Sequence, residues 1–152
     1  MRRLLERRFV VRCSRENAWA YLANPEQWPS WARHIRRIDL KPAGPLGPSS
    51  TGLLWLTNGI RSRFEVEEFH PERSWKWVGS FLWLTVHYDH QFRRLGPEET
   101  EIAFVLDAEG FAVWQIGRMF AASYRRNLDR AIPALIRELE RSQLSRLAKR
   151  NK

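Results

Sequence analysis

The spacing of apolar positions changes period along the chain, and the changes predict its elements. "RRFVVRC" (residues 7–13) is rich in β-branched and aromatic residues and predicts a first strand. "SRENAWAYLAN" follows. Ser14 stands as the helix N-cap, and Ala18, Trp19, Tyr21 and Leu22 give the short helix an apolar side. Pro25 ends it. "PEQWPSWARHI" predicts a second helical turn with Trp28 and Trp31 on one side. "IRRIDL" reads as a second strand, and the Pro- and Gly-rich "KPAGPLGPSST" as a loop.

A run of strands comes next: "GLLWLT", "IRSRFEVEEF", "SWKWVGSF", "LTVHYDHQFRRL" and "TEIAFVLDA". Asn58-Gly59, "HPER", a weak break near Ser80, and Gly96-Pro97 separate them. Short breaks in meander order predict an antiparallel sheet. From about Phe111 the period becomes helical. Gly117, Ala121, Tyr124, Leu128, Ala131, Leu135 and Leu139 form one stripe of a long amphipathic helix, which Pro133 is expected to kink. After Glu140 the stripe weakens into a basic end, "RSQLSRLAKRNK", expected to fray. The fold class is α+β: a curved antiparallel sheet around a long C-terminal helix, with two short helices after the first strand. Residues 1–140 form a single domain and residues 141–152 a basic tail.

Alternation sorts each strand into two faces. Phe64 and Val66, Trp75 and Trp77, Tyr88, His90 and Phe92, and Ile102, Phe104 and Leu106 are expected to face the helix. Arg63, Glu65, Glu67, Lys76, Thr85, His87, Asp89, Gln91, Arg93 and Glu101 are expected to face solvent. In "GLLWLT" Leu53 and Trp55 are assigned inward, although Leu54 and Leu56 are equally apolar.

Composition narrows the picture further. The 152 residues are 43% hydrophobic and 28% charged, which suits one globular domain with a real core. Eight Trp and eight Phe imply either a thick aromatic core or an aromatic-lined cavity. The net charge is +9, carried mainly by Arg pairs scattered along the chain. No nucleic-acid motif accompanies them, so specific nucleic-acid binding is not expected. Cys13 is the only cysteine, so neither an intrachain disulfide nor a cysteine-based zinc site is available. No apolar run reaches transmembrane length and no secretory leader is evident. The expected location is the cytoplasm.

The whole pattern resembles the START-like helix-grip (SRPBCC) superfamily, in its polyketide cyclase/dehydrase-like branch. "VRCSRENAWAYLAN" is similar to the family's opening, through Val11, Trp19, Leu22 and Asn24, with Asn24 where Asp is commoner. Trp31 and Gly52 fit the next positions. "FEVEEFHPERSWKW" fits through Val66, Pro71, Trp75 and Trp77, and Phe92 with Thr100 fits the last hairpin. The resemblance covers about residues 4–140. It implies the helix-grip fold and a cavity between sheet and helix, but not one activity, because this fold hosts carriers, sensors, cyclases and chaperone cofactors.

Candidate ligand-binding residues are Trp55, Phe64, Trp75, Trp77, Tyr88, His90, Phe92 and Phe104 on the sheet, and Trp114, Phe120 and Tyr124 on the helix. Core packing is the competing explanation for all of them. His90 is titratable on an apolar face, so it and Tyr124 are the candidate proton-transfer groups. His87 and Asp89 share a face, but two ligands do not make a metal site, and a cross-strand polar pair explains them. Thr57 and Ser62 are candidate polar groups at the cavity edge. No Ser-His-Asp order, phosphate loop or paired inward carboxylates occur. No cofactor is expected.

The expected function is binding of a hydrophobic small molecule: a lipid, polyketide, isoprenoid or quinone. One alternative is a cyclase, aromatase or dehydratase that folds a poly-β-ketone. Another is a protein-interaction role like that of the Hsp90-activator relatives, or a toxin-like or membrane-surface role that uses the +9 charge, with the basic tail as its support. Monomer and homodimer stay open. Within "WAYLANPEQWPSWARHI", Trp19 and Trp31 are assigned to packing, and Trp28 either guards a cavity entrance or lies exposed.

Overall fold

The computed structural model describes residues 1–152. Seven antiparallel strands form one sheet: β1 (Arg2–Val11), β2 (Ile35–Lys41), β3 (Thr51–Leu56), β4 (Arg61–His70), β5 (Ser74–Phe81), β6 (Leu84–Gly96) and β7 (Glu99–Glu109). Their spatial order is β1-β7-β6-β5-β4-β3-β2. Helix α1 (Arg15–Leu22) and a 3₁₀ turn (Pro25–Ser30) follow β1, and the long helix α2 (Val113–Arg150) closes the chain. This is the helix-grip fold. β1 begins five residues before the predicted strand and stops before Cys13. Its early part pairs with β7, from Arg2 opposite Ala108 to Val11 opposite Thr100.

The concave face holds the core. Leu5, Val11, Leu84, Val86, Ile102, Leu106 and Leu40 are buried there, along with Leu128, Leu135 and Leu139 of the α2 stripe. Gly117 lets α2 approach β1 closely, since a Cβ there would lie 3.1 Å from Leu4 Cδ2. An Arg7–Asp129 ion pair joins the same two elements. Ser14 caps α1, its Oγ accepting from the Asn17 N–H at 3.2 Å.

The C-terminal segment corrects an expectation. It does not fray after Glu140, because α2 runs on, through Pro133, to Arg150. Gln143 is buried and its Oε1 accepts from Ser14 N–H at 3.2 Å and Asn17 Nδ2 at 2.5 Å. Arg146 Nη1 donates to Asn17 Oδ1 at 2.7 Å. The apolar stripe weakens there because polar hydrogen bonds to α1 take over the docking.

The convex face carries ion pairs such as Arg3–Asp107, Lys76–Glu68 and Arg93–Glu101, which are solvated and stabilise little. No helix is long and apolar enough to cross a membrane.

Candidate functional site

The concave face divides into a filled half and a half-open one. In the filled half, alternation along β5 and β6 puts Trp75, Trp77, His90 and Phe92 side by side. Trp75 lies opposite His90, and Trp77 opposite Tyr88. His90 stacks on Trp75 with ring centroids 4.6 Å apart and meets Trp77 at 5.0 Å and Phe104 at 5.3 Å. Phe64 packs on Trp77 at 4.3 Å.

The two short helices lay their own tryptophans over this cluster. Trp19 meets Phe69, Trp75 and Phe92 edge-on. Trp28 packs against Trp31, Trp77 and His90, and its Nε1 donates to Leu22 O at 3.0 Å. Trp28 is only 5% exposed. It neither guards an entrance nor lies in solvent. The 3₁₀ turn points it inward, and it closes the core beside Trp31.

His90 is 3% exposed and its Nδ1 has no hydrogen-bond partner. Burial depresses its pKa to about 3, against the opposing pull of the Trp75 and Tyr88 backbone. The imidazole is therefore neutral at physiological pH and sealed among aromatic rings. The Nε1 atoms of Trp31 and Trp75 are likewise buried without partners.

The half-open part lies between the first turns of α2 and the adjoining ends of β5 and β6. Phe81 packs on Phe120 at 4.6 Å, Tyr88 on Tyr124 at 5.7 Å, and Phe120 is parallel to Tyr124. All four keep accessible surface. Leu54, Leu56 and Val66 continue this partly covered wall across β3 and β4. Burial raises the Tyr88 and Tyr124 hydroxyls above the usual phenol range, and Tyr124 also disfavours charge on Tyr88. No hydrogen bond contributes to either shift. Two neutral O–H donors thus stand on an apolar wall. Phe81 was missing from the sequence candidates. Alternation from Trp77 through Gly79 places it inward, but the weak break near Ser80 hides the strand's end.

Two candidates point elsewhere. Trp55 is on the convex face. β3 pairs with β4 so that Trp55 lies opposite Arg61 and Leu53 opposite Arg63, while Gly52 and Leu54 lie opposite Phe64 and Ser62. Leu54 and Leu56, not Leu53 and Trp55, face the core. Gly52 sets this register, because the Phe64 ring occupies the space a Cβ would take, its Cζ 2.2 Å away. Trp55 instead stacks under the Arg61 guanidinium at 4.9 Å. Trp114 is 59% exposed, with the Arg2 guanidinium over its ring at 2.8 Å. At about 100° per residue, Trp114 and Phe120 fall on opposite flanks of the α2 stripe. Only the Phe120 flank looks onto the concavity.

His87, expected to be solvated, is buried on the convex face. Its Nδ1 meets Glu67 Oε2 at 2.8 Å and its Nε2 Glu109 Oε1 at 3.5 Å. The cross-strand polar partners of His87 are these carboxylates, and Asp89 accepts from Gln91 Nε2 at 2.6 Å. Thr57 Oγ1 donates to His34 O at 3.3 Å at the edge of the sheet. Ser62 shares Leu54's face and donates to Ser80 O at 3.4 Å. Two surface hollows lie outside the concavity. One, of about 280 Å³, is flanked by Arg8, Arg73 and Arg93, and the other, of about 290 Å³, by Asn17, Arg146 and Arg150.

Solved structures share this architecture. An aromatase/cyclase, Zhui, from Streptomyces superposes with a TM-score of 0.71 at 16% identity, covering 92% of this chain and 94% of that one. A START superfamily protein from Mycobacterium smegmatis gives 0.67 at 16% identity over 90% and 97%. A hypothetical protein from Helicobacter pylori gives 0.73 at 13% identity over 88% and 86%. At these identities the likeness concerns the fold. No curated protein matches the chain in sequence. Residues 2–140, nearly the whole chain, do match one family, and the chain belongs to that family, described as polyketide cyclase/dehydrase and lipid transport.

Proposed function

We propose that this protein binds an apolar small molecule in the half-open part of the concavity. The ligand is flat or chain-like, carries one or two oxygen acceptors, and comes from the lipid, isoprenoid, quinone or aromatic polyketide class. The observation that carries this reading is the pair Tyr88 and Tyr124: neutral hydroxyls without internal hydrogen bonds, set among Phe81, Phe120, Leu54 and Val66. Apolar walls with a few polar groups are the usual composition of a small-molecule site. The rings reward stacking, and the hydroxyls orient a carbonyl or ether oxygen. The family's description and the name of the Streptomyces neighbour keep a cyclase reading alive. That reading loses His90 as its proton-transfer group, since the ring is sealed and neutral, and it rests on Tyr124 alone. The chain's single buried cysteine suits a reducing cytoplasm.

The test is a fluorescence titration with a quinone, a fatty acid and a flat aromatic polyketide. At least one class is expected to quench tryptophan emission saturably. Tyr124→Phe is expected to weaken that ligand about five- to tenfold, the loss of one neutral hydrogen bond. If no class perturbs the emission, or if Tyr124→Phe binds as tightly as wild type, the reading fails.

A further inference from the structure

One end of the sheet is apolar, basic and uncovered. It gathers the β3–β4 turn, the β5–β6 turn and the β7–α2 junction. Ile60 (44% exposed), Leu82 (63%), Trp83 (55%), Phe111 (84%) and Trp114 (59%) all project there. That is five of the ten large hydrophobic residues exposed on the molecule. Strand pairing brings these turns to the same end of the sheet, and Trp83 Nε1 donates to Phe111 O at 2.6 Å, tying the hairpin tip to the start of α2. Leu82 holds its turn at φ 54°, a conformation for which turns ordinarily use Asn or Gly. A leucine there places apolar bulk at the outermost point.

The charges around this surface are mostly of one sign, with Glu109, the exposed last residue of β7, as an acid beside it. Residues 57–61, 81–84 and 110–119 contain no Asp or Glu, but they contain Arg61 and Arg118. Arg2 adds a third cation against Trp114. Indole and phenyl rings with a rim of three guanidiniums, Arg2, Arg61 and Arg118, against the one neighbouring Glu109 match the headgroup layer of an anionic bilayer. There Trp sits at the interface and Arg meets phosphate. A protein partner would have to offer an apolar patch ringed with acids, whereas the bilayer presents both features everywhere.

We propose that this end docks on an anionic lipid bilayer. The surface is continuous with the half-open wall, because Phe81 immediately precedes Leu82 and packs on Phe120. If the wall holds an apolar ligand, as proposed above, a docked molecule would exchange it with the membrane without passing through bulk water.

The test uses the full chain with phosphatidylcholine vesicles, with and without phosphatidylglycerol. Wild type is expected to co-sediment with the phosphatidylglycerol vesicles, less so as salt is raised. Brominated acyl chains should quench part of its tryptophan emission. Replacing Leu82→Ser and Phe111→Ser together should weaken binding at least about tenfold, since two apolar anchors are lost. Both side chains are exposed, so circular dichroism should match wild type. Should that variant misfold, Arg118→Glu serves in its place and should also weaken binding. Absence of wild-type binding, or undiminished binding by these variants, overturns the proposal. So does concentration-dependent dimerisation that the double replacement abolishes, because a second copy would then be the occupant. The ligand titration is repeated without vesicles. Vesicle binding with no ligand response defeats the ligand reading alone, and a ligand response with no vesicle binding defeats the docking alone.

Discussion

His90 makes the stability of this fold depend on pH in a way that can be worked out in advance. Its pKa falls from an ordinary 6.5 to about 3 because burial penalises the imidazolium. Below pH 6.5 the unfolded chain binds a proton there and the folded chain does not. The neutral ring's contribution is therefore fully present above pH 6.5 and is lost progressively as the pH falls toward 3. The slope approaches about 1.4 kcal/mol per pH unit, so this one residue removes about 2 kcal/mol by pH 5 and about 3 kcal/mol by pH 4. His34, whose pKa burial also lowers, acts in the same direction. The comparison is thus between wild type and His90→Leu, in which His34 is unchanged. Urea unfolding between pH 7 and pH 5 avoids most carboxylate titration. Wild type is expected to lose about 2 kcal/mol more than His90→Leu across that window. Parallel curves would refute the argument. So would native-state NMR signals of the His90 ring that titrate near 6.5, since these would mean that water reaches the ring.

Two further replacements test the docking of α2 and the register of β3. Gln143→Ala leaves the Ser14 N–H and the Asn17 amide without their acceptor and should lower urea stability by about 1–2 kcal/mol; a loss within error would mean that α2 ends functionally at Glu140. Gly52→Val forces a side chain into the Phe64 ring and should cost at least about 1–3 kcal/mol, read as a lower Tm. A neutral result would place Leu53 and Trp55 on the core face after all.

The order of elements was legible in the sequence because each depends on a short-range period. "SWKWVGSF" matches β5 residue for residue, and the α2 stripe from Gly117 to Leu139 is buried apart from the half-covered Tyr124. Alternation also assigned Phe64, Trp75, Trp77, Tyr88, His90, Phe92 and Phe104 to the concave face; polar neighbours break the tie for most of them, and the parity of the strand carries Trp77 beside Val78 and Phe104 beside Val105. Trp55 had no such tie-breaker. "LLWL" is apolar on both faces, and only pairing with β4, with Gly52 beneath the Phe64 ring, decides which face is buried. Trp114 depended on where the sheet ends beside α2, since the helical period alone leaves it on the flank of the stripe. The state of the cavity was also beyond the sequence. The same aromatic residues line a hollow or fill it, depending on how far the two short helices carry Trp19, Trp28 and Trp31 over the sheet. Here they fill the half around His90 and leave the half around Tyr88 and Tyr124 partly open. Side-chain period is a property of the local backbone, whereas the separation of two packed surfaces is set by every residue between them.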